Sequence, residues 1–294
     1  MNTKLDIVYQ ITREAQNAWD TLPDRINEFP AFAQTLLEKI NLKEFLDTTL
    51  IESVLSTKLP TQYYNANEFS DFPICIASEK DVFTDLYFWS HADTSIHNHS
   101  FVGAFGVLTG EIHQTKFNFT LKERVFDWLS IGECRPIHQE VLKVGRVQKI
   151  SFQDDFIHQS IHVHSPDTHT VTICLRTRHL PDCNLSSYTL PSIKMKGQFL
   201  SQENQKKMDG ILYLFQRDPE QYKSTILRII DSFSLETKVS ILNLTVLPGR
   251  TIPTKFLDLL LNHLRLLHGD EAWFQEYIRA REFSSAVLAK MRLL

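Results

Sequence analysis

The amino-terminal part of the chain carries apolar side chains at helical spacing. Leu5, Val8, Ile11, Ala15 and Trp19 follow one another three or four residues apart. On a helix of 3.6 residues per turn this spacing places them along one stripe. The pattern therefore predicts an amphipathic helix that buries one face.

Two further helical stretches are predicted before the pattern changes. One follows Pro30, and the next begins at Asn41, where Glu44 stands three residues on in a capping-box arrangement. We expect residues 1–58 to form a helical segment that packs on the fold that follows.

From about residue 72 the pattern becomes that of β-strands. Short runs rich in β-branched and aromatic residues alternate with turn residues, among them FPICIAS, VFTDLYFW, GAFGVL and THTVTICL. Several strands at this spacing are typical of a sandwich or barrel, which we expect over residues 60–190. Residues 121–140 show no clean period, and we expect them to form a long excursion between strands.

The helical period returns in residues 195–294, where we expect five or six helices. Asp218-Pro219 has the form of an N-cap followed by proline at the first helical position, and Pro248-Gly249 and Gly269-Asp270 mark breaks. This region is interpreted as a packing or dimerisation layer, so a homodimer is a possible assembly. A lid over a binding site is the alternative.

Composition excludes several classes of function. The 294 residues are 43% apolar and carry a formal net charge of -4, with scattered basic residues, which argues against nucleic acid as a partner. No run of about eighteen apolar residues predicts a membrane span, and the charged N-terminus does not resemble a secretory signal. We expect a cytoplasmic protein. Its four cysteines show no CxxC spacing and are interpreted as reduced thiols.

The candidate chemistry lies in the histidines. Ten of the twelve fall between His91 and His179, and His97-Asn98-His99 lies in a predicted β-region. On an extended backbone the side chains of residues i and i+2 project to the same face, so the two imidazoles form a chelating pair. Imidazole is the commonest protein ligand of zinc, iron, copper and nickel, and a pair needs one or two further ligands. The sequence thus predicts a metal site in a β-rich domain.

The stretch from Trp89 through His97 and His99 to Gly110 resembles the first motif of the cupin superfamily, HxH, three or four residues, Glu, six residues, Gly. Gly110 falls on the glycine of the motif, but Gly103 or Ala104 holds the glutamate position. The resemblance implies a double-stranded β-helix, or jelly-roll, barrel with flanking helices.

The second cupin motif has a histidine just after a turn, followed by a closing strand. Asp154-Asp155-Phe156-Ile157-His158 and residues 170–176 are similar to it. The resemblance makes His158 the third metal ligand, after His97 and His99. His162 and His164 repeat the i, i+2 spacing, so either is an alternative third ligand.

In lacking the glutamate of the first motif, this sequence resembles the three-histidine cupins of the thiol dioxygenase kind, above all cysteine dioxygenase. Resemblance to that group implies Fe(II) as the cofactor, with nickel, zinc or manganese as alternatives. There are departures: no arginine occurs between Arg25 and Arg124 to hold an amino-acid carboxylate, and Thr172, Cys174 and Arg176 occupy the closing strand. We therefore do not infer that cysteine is the substrate.

Three further residues are candidates for supporting roles. Arg176 could hold a carboxylate or phosphate, or it could simply face outwards at the strand end. Cys174 is either a reactive thiol or a small apolar core residue. His113 alternates with Glu111 on a strand, so it is either a hydrogen-bonding partner of the site or a residue at the barrel mouth. His91, His138, His169 and His179 are interpreted as structural or surface residues.

Together these features favour a mononuclear metal enzyme, with Fe(II), that uses dioxygen to oxidise a small molecule. The apolar barrel wall, including Phe105 and Val107, is expected to exclude water. Two alternatives remain open: a non-catalytic metal- or ligand-binding sensor or accessory module, and a cupin isomerase or decarboxylase using Mn, Ni or Zn.

Overall fold

The computed structural model describes residues 3–62, 72–89, 94–163, 169–181, 183, 185–196, 202–243 and 254–291. The chain divides into two compact units. Unit 1 contains Met1–Thr120 and Cys134–Tyr188, and unit 2 contains Leu121–Glu133 and Thr189–Leu294. Residues 121–133, within the range expected for the barrel, thus group with the C-terminal helices.

The described N-terminal residues form four helices: α1 (Lys4–Thr21), α2 (Arg25–Glu38), α3 (Leu42–Phe45) and α4 (Thr48–Ser56). Thr3 begins α1 with a capping box, in which its hydroxyl accepts from the Asp6 amide and the Asp6 carboxylate accepts from the Thr3 amide. The apolar stripe predicted for α1 is buried, and it packs with strand residues of unit 1 in one core cluster.

Two details of the helical segment differ from the sequence prediction. Helix α2 begins at Arg25, before Pro30, which lies inside the helix and is buried beside Phe29. No capping box forms at α3, because the Asn41 amide donates to the Glu44 carboxylate at 2.9 Å, rather than each side chain accepting from the backbone. In both places burial and side-chain pairing outweigh the local signal.

Unit 1 contains an antiparallel five-stranded sheet in the order β1-β2-β9-β4-β7. Its strands are β1 (Phe72–Ser78), β2 (Val82–Trp89), β4 (Gly103–Thr109), β7 (Val147–Ile150) and β9 (Thr170–Thr177). Gly110 follows β4 with φ of +74°, and a Cβ there would lie 2.8 Å from the Thr170 Cα. The positive φ and the close approach explain why glycine stands here.

Six strands form a closed barrel in the order β10-β11-β6-β5-β8-β3. They are β3 (Ile96–His97), β5 (Glu111–Arg124), β6 (Leu129–Lys143), β8 (Ile157–Val163), β10 (Ser186–Thr189) and β11 (Ile193–Lys196). The mainly β fold with a barrel and flanking helices confirms the predicted fold class.

The long excursion predicted for residues 121–140 is wrong. Most of this segment is the end of β5 and the greater part of β6. Burial does not alternate along these strand parts: residues 120–124 and 135–139 are exposed on both faces. The period-2 signal of a half-buried strand therefore has no basis there.

The described part of unit 2 includes five helices: α5 (Gln202–Arg217), α6 (Pro219–Ser232), α7 (Leu235–Asn243), α8 (Thr254–His268) and α9 (Ala272–Met291). Asp218 caps α6 through the Gln221 amide at 3.0 Å, with Pro219 at the first helical position, as predicted. Gly269 lies between α8 and α9, as predicted, whereas Pro248-Gly249 lies outside the described residues. None of the described helices is long and apolar enough to cross a membrane.

Candidate metal centre

Three buried histidines of unit 1 lie close together. His97 on β3 and His158 on β8 are directly paired across the two strands, and His99 follows just after β3 on the same side as His97. Ring centroids lie 4.5 Å apart for His97 and His158, 4.9 Å for His97 and His99, and 5.1 Å for His99 and His158. One nitrogen from each ring lies within 4.8 Å of the others, which is the arrangement that a single metal ion requires.

Burial keeps these imidazoles neutral. It lowers the pKa of His97 to about 4 and the pKa values of His99 and His158 well below their ordinary value. A neutral imidazole presents a lone pair to a metal. His97 Nδ1 lies 2.8 Å from the Ser95 carbonyl oxygen and donates to it, so Nε2 carries the lone pair.

The hydrogen bonding of the cluster fits a metal ion. Within the described part of the chain, the buried atoms His99 Nδ1 and His158 Nε2 have no hydrogen-bond partner. Buried polar atoms are normally satisfied, and an unsatisfied one costs about 1–3 kcal/mol. A cation that accepts a ring lone pair would remove part of this cost, so the donor set and its unsatisfied nitrogens suit a late first-row metal.

Gln114 on β5 fixes the orientation of the His158 ring. Its side-chain nitrogen lies 3.0 Å from His158 Nδ1, and its oxygen has no partner among the described residues. A half-turn of the amide brings that oxygen to Nδ1–H instead, because the two ends of the amide are nearly equal in shape. His158 Nε2 then carries the lone pair, as metal binding requires. No sequence motif pointed to Gln114.

Asn98 lies between the two histidines of the pair and points to the opposite face. Its side chain donates to the Asp154 carboxylate at 2.8 Å and accepts from the Ser186 amide at 2.7 Å. The Tyr188 hydroxyl donates to the same Asp154 oxygen at 2.6 Å. This buried network joins the strand of His97 to the turn that precedes His158. Sequence reasoning missed it, although the middle position of the HxH motif is a signal.

Replacing Asn98 with alanine is expected to lower the free energy of unfolding by about 1–3 kcal/mol, because Asp154 and the Ser186 amide lose a buried partner. Thermal and urea unfolding would measure this. Asn17→Ala, on the exposed face of α1, is the control. A loss for Asn98→Ala no larger than the control's would contradict the network.

A small cavity of about 90 Å³ opens beside the cluster. Aromatic and aliphatic side chains dominate its described wall, including Tyr87, Trp89, Phe101, Phe105, Ile112 and Ile150. The Trp89 indole stacks on the His162 ring with centroids 4.0 Å apart and planes 11° apart. Trp89 Nε1 donates to the Thr172 hydroxyl at 3.1 Å, which holds the indole in place. Val107 is buried but does not line this cavity.

The other described histidines are not members of the group that could hold a metal ion. His162 is buried and lines the cavity, but the described group that could hold a metal contains His158 and not His162. His113 is exposed and pairs with Glu111 at 2.8 Å, away from the cavity wall. His164, the other alternative ligand, lies outside the described residues, as does His91.

Arg176 does not line the cavity. Its Nε donates to the Asp85 carboxylate at 2.6 Å, and both side chains are largely buried, at 14% and 4% exposed. The guanidinium lies 5.2 Å from the Phe101 ring centre and 5.3 Å from that of Phe83. Arg176 is therefore buried and does not face outwards, and in this structure it binds a carboxylate of the chain itself, that of Asp85.

Cys174 is a buried wall residue. Burial raises the pKa of its thiol to about 12, and burial also raises the pKa values of Cys75 and Cys134 to about 12. A thiol with such a pKa is protonated near neutral pH and is a poor nucleophile. The environment of Cys174 is therefore that of the apolar core residue.

The four cysteines are expected to differ in their reaction with iodoacetamide at pH 8. Cys183, the only one of the four that is not buried, should be alkylated first, and Cys75, Cys134 and Cys174 only after unfolding. Peptide mass spectrometry of native and urea-unfolded samples measures this. Rapid labelling of Cys174 in the native protein would contradict its described environment.

The fold and the site define a class of protein. The chain is a mainly β protein with a closed six-stranded barrel and flanking helices, and three neighbouring buried histidines could hold a metal ion.

Comparison with known proteins adds likenesses at low identity. No family model and no curated protein matches the sequence. A hydroquinone 1,2-dioxygenase structure in complex with Cd²⁺ and 4-hydroxybenzonitrile aligns with a TM-score of 0.28 and 10% identity, over 45% of this chain and 72% of that chain. A cupin-2 domain containing protein from Shewanella frigidimarina aligns with a TM-score of 0.22 and 13% identity, over 36% of this chain and 79% of that chain. A DMSP lyase structure aligns with a TM-score of 0.33 and 14% identity, over 63% of this chain and 100% of that chain.

Proposed function

We propose that this chain is a mononuclear metal enzyme, loaded with Fe(II), that uses dioxygen to oxidise a small molecule. His97, His99 and His158 are the proposed ligands. The observation that carries the proposal is the meeting of three buried, neutral imidazoles beside an apolar cavity. Such a group has no evident structural use, because burying unsatisfied ring nitrogens destabilises a core.

The donor set favours iron and its neighbours over magnesium or calcium. All three donors are imidazole nitrogens, whereas hard cations prefer oxygen ligands. Three protein ligands leave coordination positions available for small molecules. When bound, iron would supply the redox chemistry that lets dioxygen react with an organic substrate.

The residues of the chain supply position and exclusion of water. His97 is held through Ser95, and His158 is held through Gln114, so both rings are preorganised. The aromatic wall, with Phe101 and Phe105, keeps bulk water from the cluster. The likeness to the thiol dioxygenases in the HxH region makes thiols the first substrates to try.

Anaerobic loading with Fe(II), followed by metal analysis and oxygen-uptake measurements with a panel of thiols, tests the proposal. We expect one iron per chain and thiol-dependent oxygen uptake. His99→Ala should lose both, whereas His113→Ala, at an exposed histidine, should keep both. Zinc, nickel or manganese with no oxygen uptake would overturn the dioxygenase proposal and favour an isomerase, a decarboxylase or a binding module.

A further inference from the structure

The lack of charged side chains in the described cavity wall limits the kind of substrate that the cavity can bind, and this inference rests on the proposed function. None of the described wall residues is a lysine, arginine, aspartate or glutamate. Burial raises the pKa of the Tyr87 phenol well above its ordinary value and that of the Cys174 thiol to about 12, so both are uncharged near neutral pH. A charged group in this space would leave water without meeting an opposite charge from the described wall.

Outside the histidines, the polar side chains of the described wall already have hydrogen-bonding partners, and the Tyr87 hydroxyl donates to the Asp85 carboxylate at 3.3 Å. The Thr94 hydroxyl accepts from the Ser160 amide at 3.0 Å, and the Thr172 hydroxyl accepts from Trp89. The Ser160 hydroxyl lies 3.4 Å from His158 Nδ1. These groups offer little hydrogen bonding to a second polar end of a ligand.

The buried cation of Arg176 lies behind an aromatic ring of the cavity wall. The Arg176 guanidinium lies against Phe101, which lines the cavity, and against Phe83, which does not. Its Nε is bound to Asp85. A carboxylate in the cavity would thus face the ring of Phe101 and not the charge behind it.

We infer that the substrate is a small molecule with an uncharged, apolar body, without a carboxylate or ammonium group, whose single polar group reaches the histidine cluster. Molecules of the amino-acid type, with two charged groups, are excluded by the same wall. The described cavity wall contains no arginine that could bind a substrate carboxylate, and this favours uncharged substrates over carboxylates.

Three thiols of similar length test this inference: 1-propanethiol is neutral, 3-mercaptopropionate carries an anion and cysteamine a cation. Binding to the Fe(II)-loaded protein is measured anaerobically by calorimetry and by the shift in melting temperature. We expect 1-propanethiol to bind at least about 10-fold more tightly than either charged probe. Equal or tighter binding of 3-mercaptopropionate or cysteamine would overturn the inference.

The same panel on metal-free protein separates this inference from the proposed function. A preference for 1-propanethiol that persists without metal supports the neutral cavity, even if iron fails to load. Iron loading with no such preference in either form would overturn the inference alone.

Two variants test the separation of Arg176 from the cavity. Phe101→Ala should open the cavity towards the guanidinium and raise the affinity for 3-mercaptopropionate about 10-fold. Phe83→Ala removes the other ring on the same guanidinium and should leave the order of the three probes unchanged. The leucine variants replace this pair if alanine prevents folding. An equal response at the two positions would overturn the role assigned to Phe101.

Discussion

Replacing His158 with alanine is expected to lower the affinity for Fe(II) by more than about 100-fold. Loss of a hydrogen-bonding partner of a ligand costs 10–100-fold in metal sites, and loss of the ligand itself costs more. His158 is paired directly with His97 across two strands, and its ring lies close to both other imidazoles. Two remaining nitrogens cannot hold the ion at the same strength.

Competition with a chelator of known affinity, followed by metal analysis, measures this change. His138→Ala is the control, because His138 is 57% exposed and lies outside the cluster. The melting temperature of each metal-free variant shows whether the fold persists. Unchanged iron affinity in a folded His158→Ala protein would remove His158 from the ligand set and make His162 the next candidate.

Arg176→Ala is expected to destabilise the protein by about 3–5 kcal/mol. The change leaves the Asp85 carboxylate, only 4% exposed, without its ion-pair partner at 2.6 Å. An uncompensated buried charge is costly, whereas replacing both charges with neutral side chains of similar size is often tolerated. The double variant Asp85→Asn/Arg176→Met should therefore recover most of the loss.

Urea unfolding of the two proteins, with Arg178→Ala as a control for an exposed arginine, measures the difference. If Arg176→Ala unfolds at nearly the same urea concentration as the wild type, the pair does not stabilise the core. If the double variant is as unstable as the single one, lost packing and not the unpaired charge explains the effect.

The sequence was informative where one strand determines the geometry. The alternation of β-structure placed His97 and His99 on one side, whereas His158 was predicted only through the resemblance to the second cupin motif, with His162 and His164 as alternatives. The pairing of Arg176 with Asp85 joins residues 91 positions apart, and Asn98 meets Tyr188 at a separation of 90. Local periodicity carries no information about such partners, because they depend on which strands become neighbours.

A second limit concerns exposure. The outer parts of β5 and β6 are solvated on both faces, so their residues need no alternation of apolar and polar types. The backbones of these strand parts can pair without burying either face, so the alternation that identifies a half-buried strand in a sequence is absent there.

His97 and His99 face one side of the chain and Asn98 faces the other, so this short stretch tolerates little change in the pairing register of β3 and β8. A shift of β3 by one residue against β8 would exchange the two faces of the strand. Asn98 would then enter the cavity, and the imidazoles would face Asp154 and Tyr188 in place of one another. The register of β3 and the proposed metal site thus depend on the same three residues, so a molecule with a shifted β3 would also lose the proposed site.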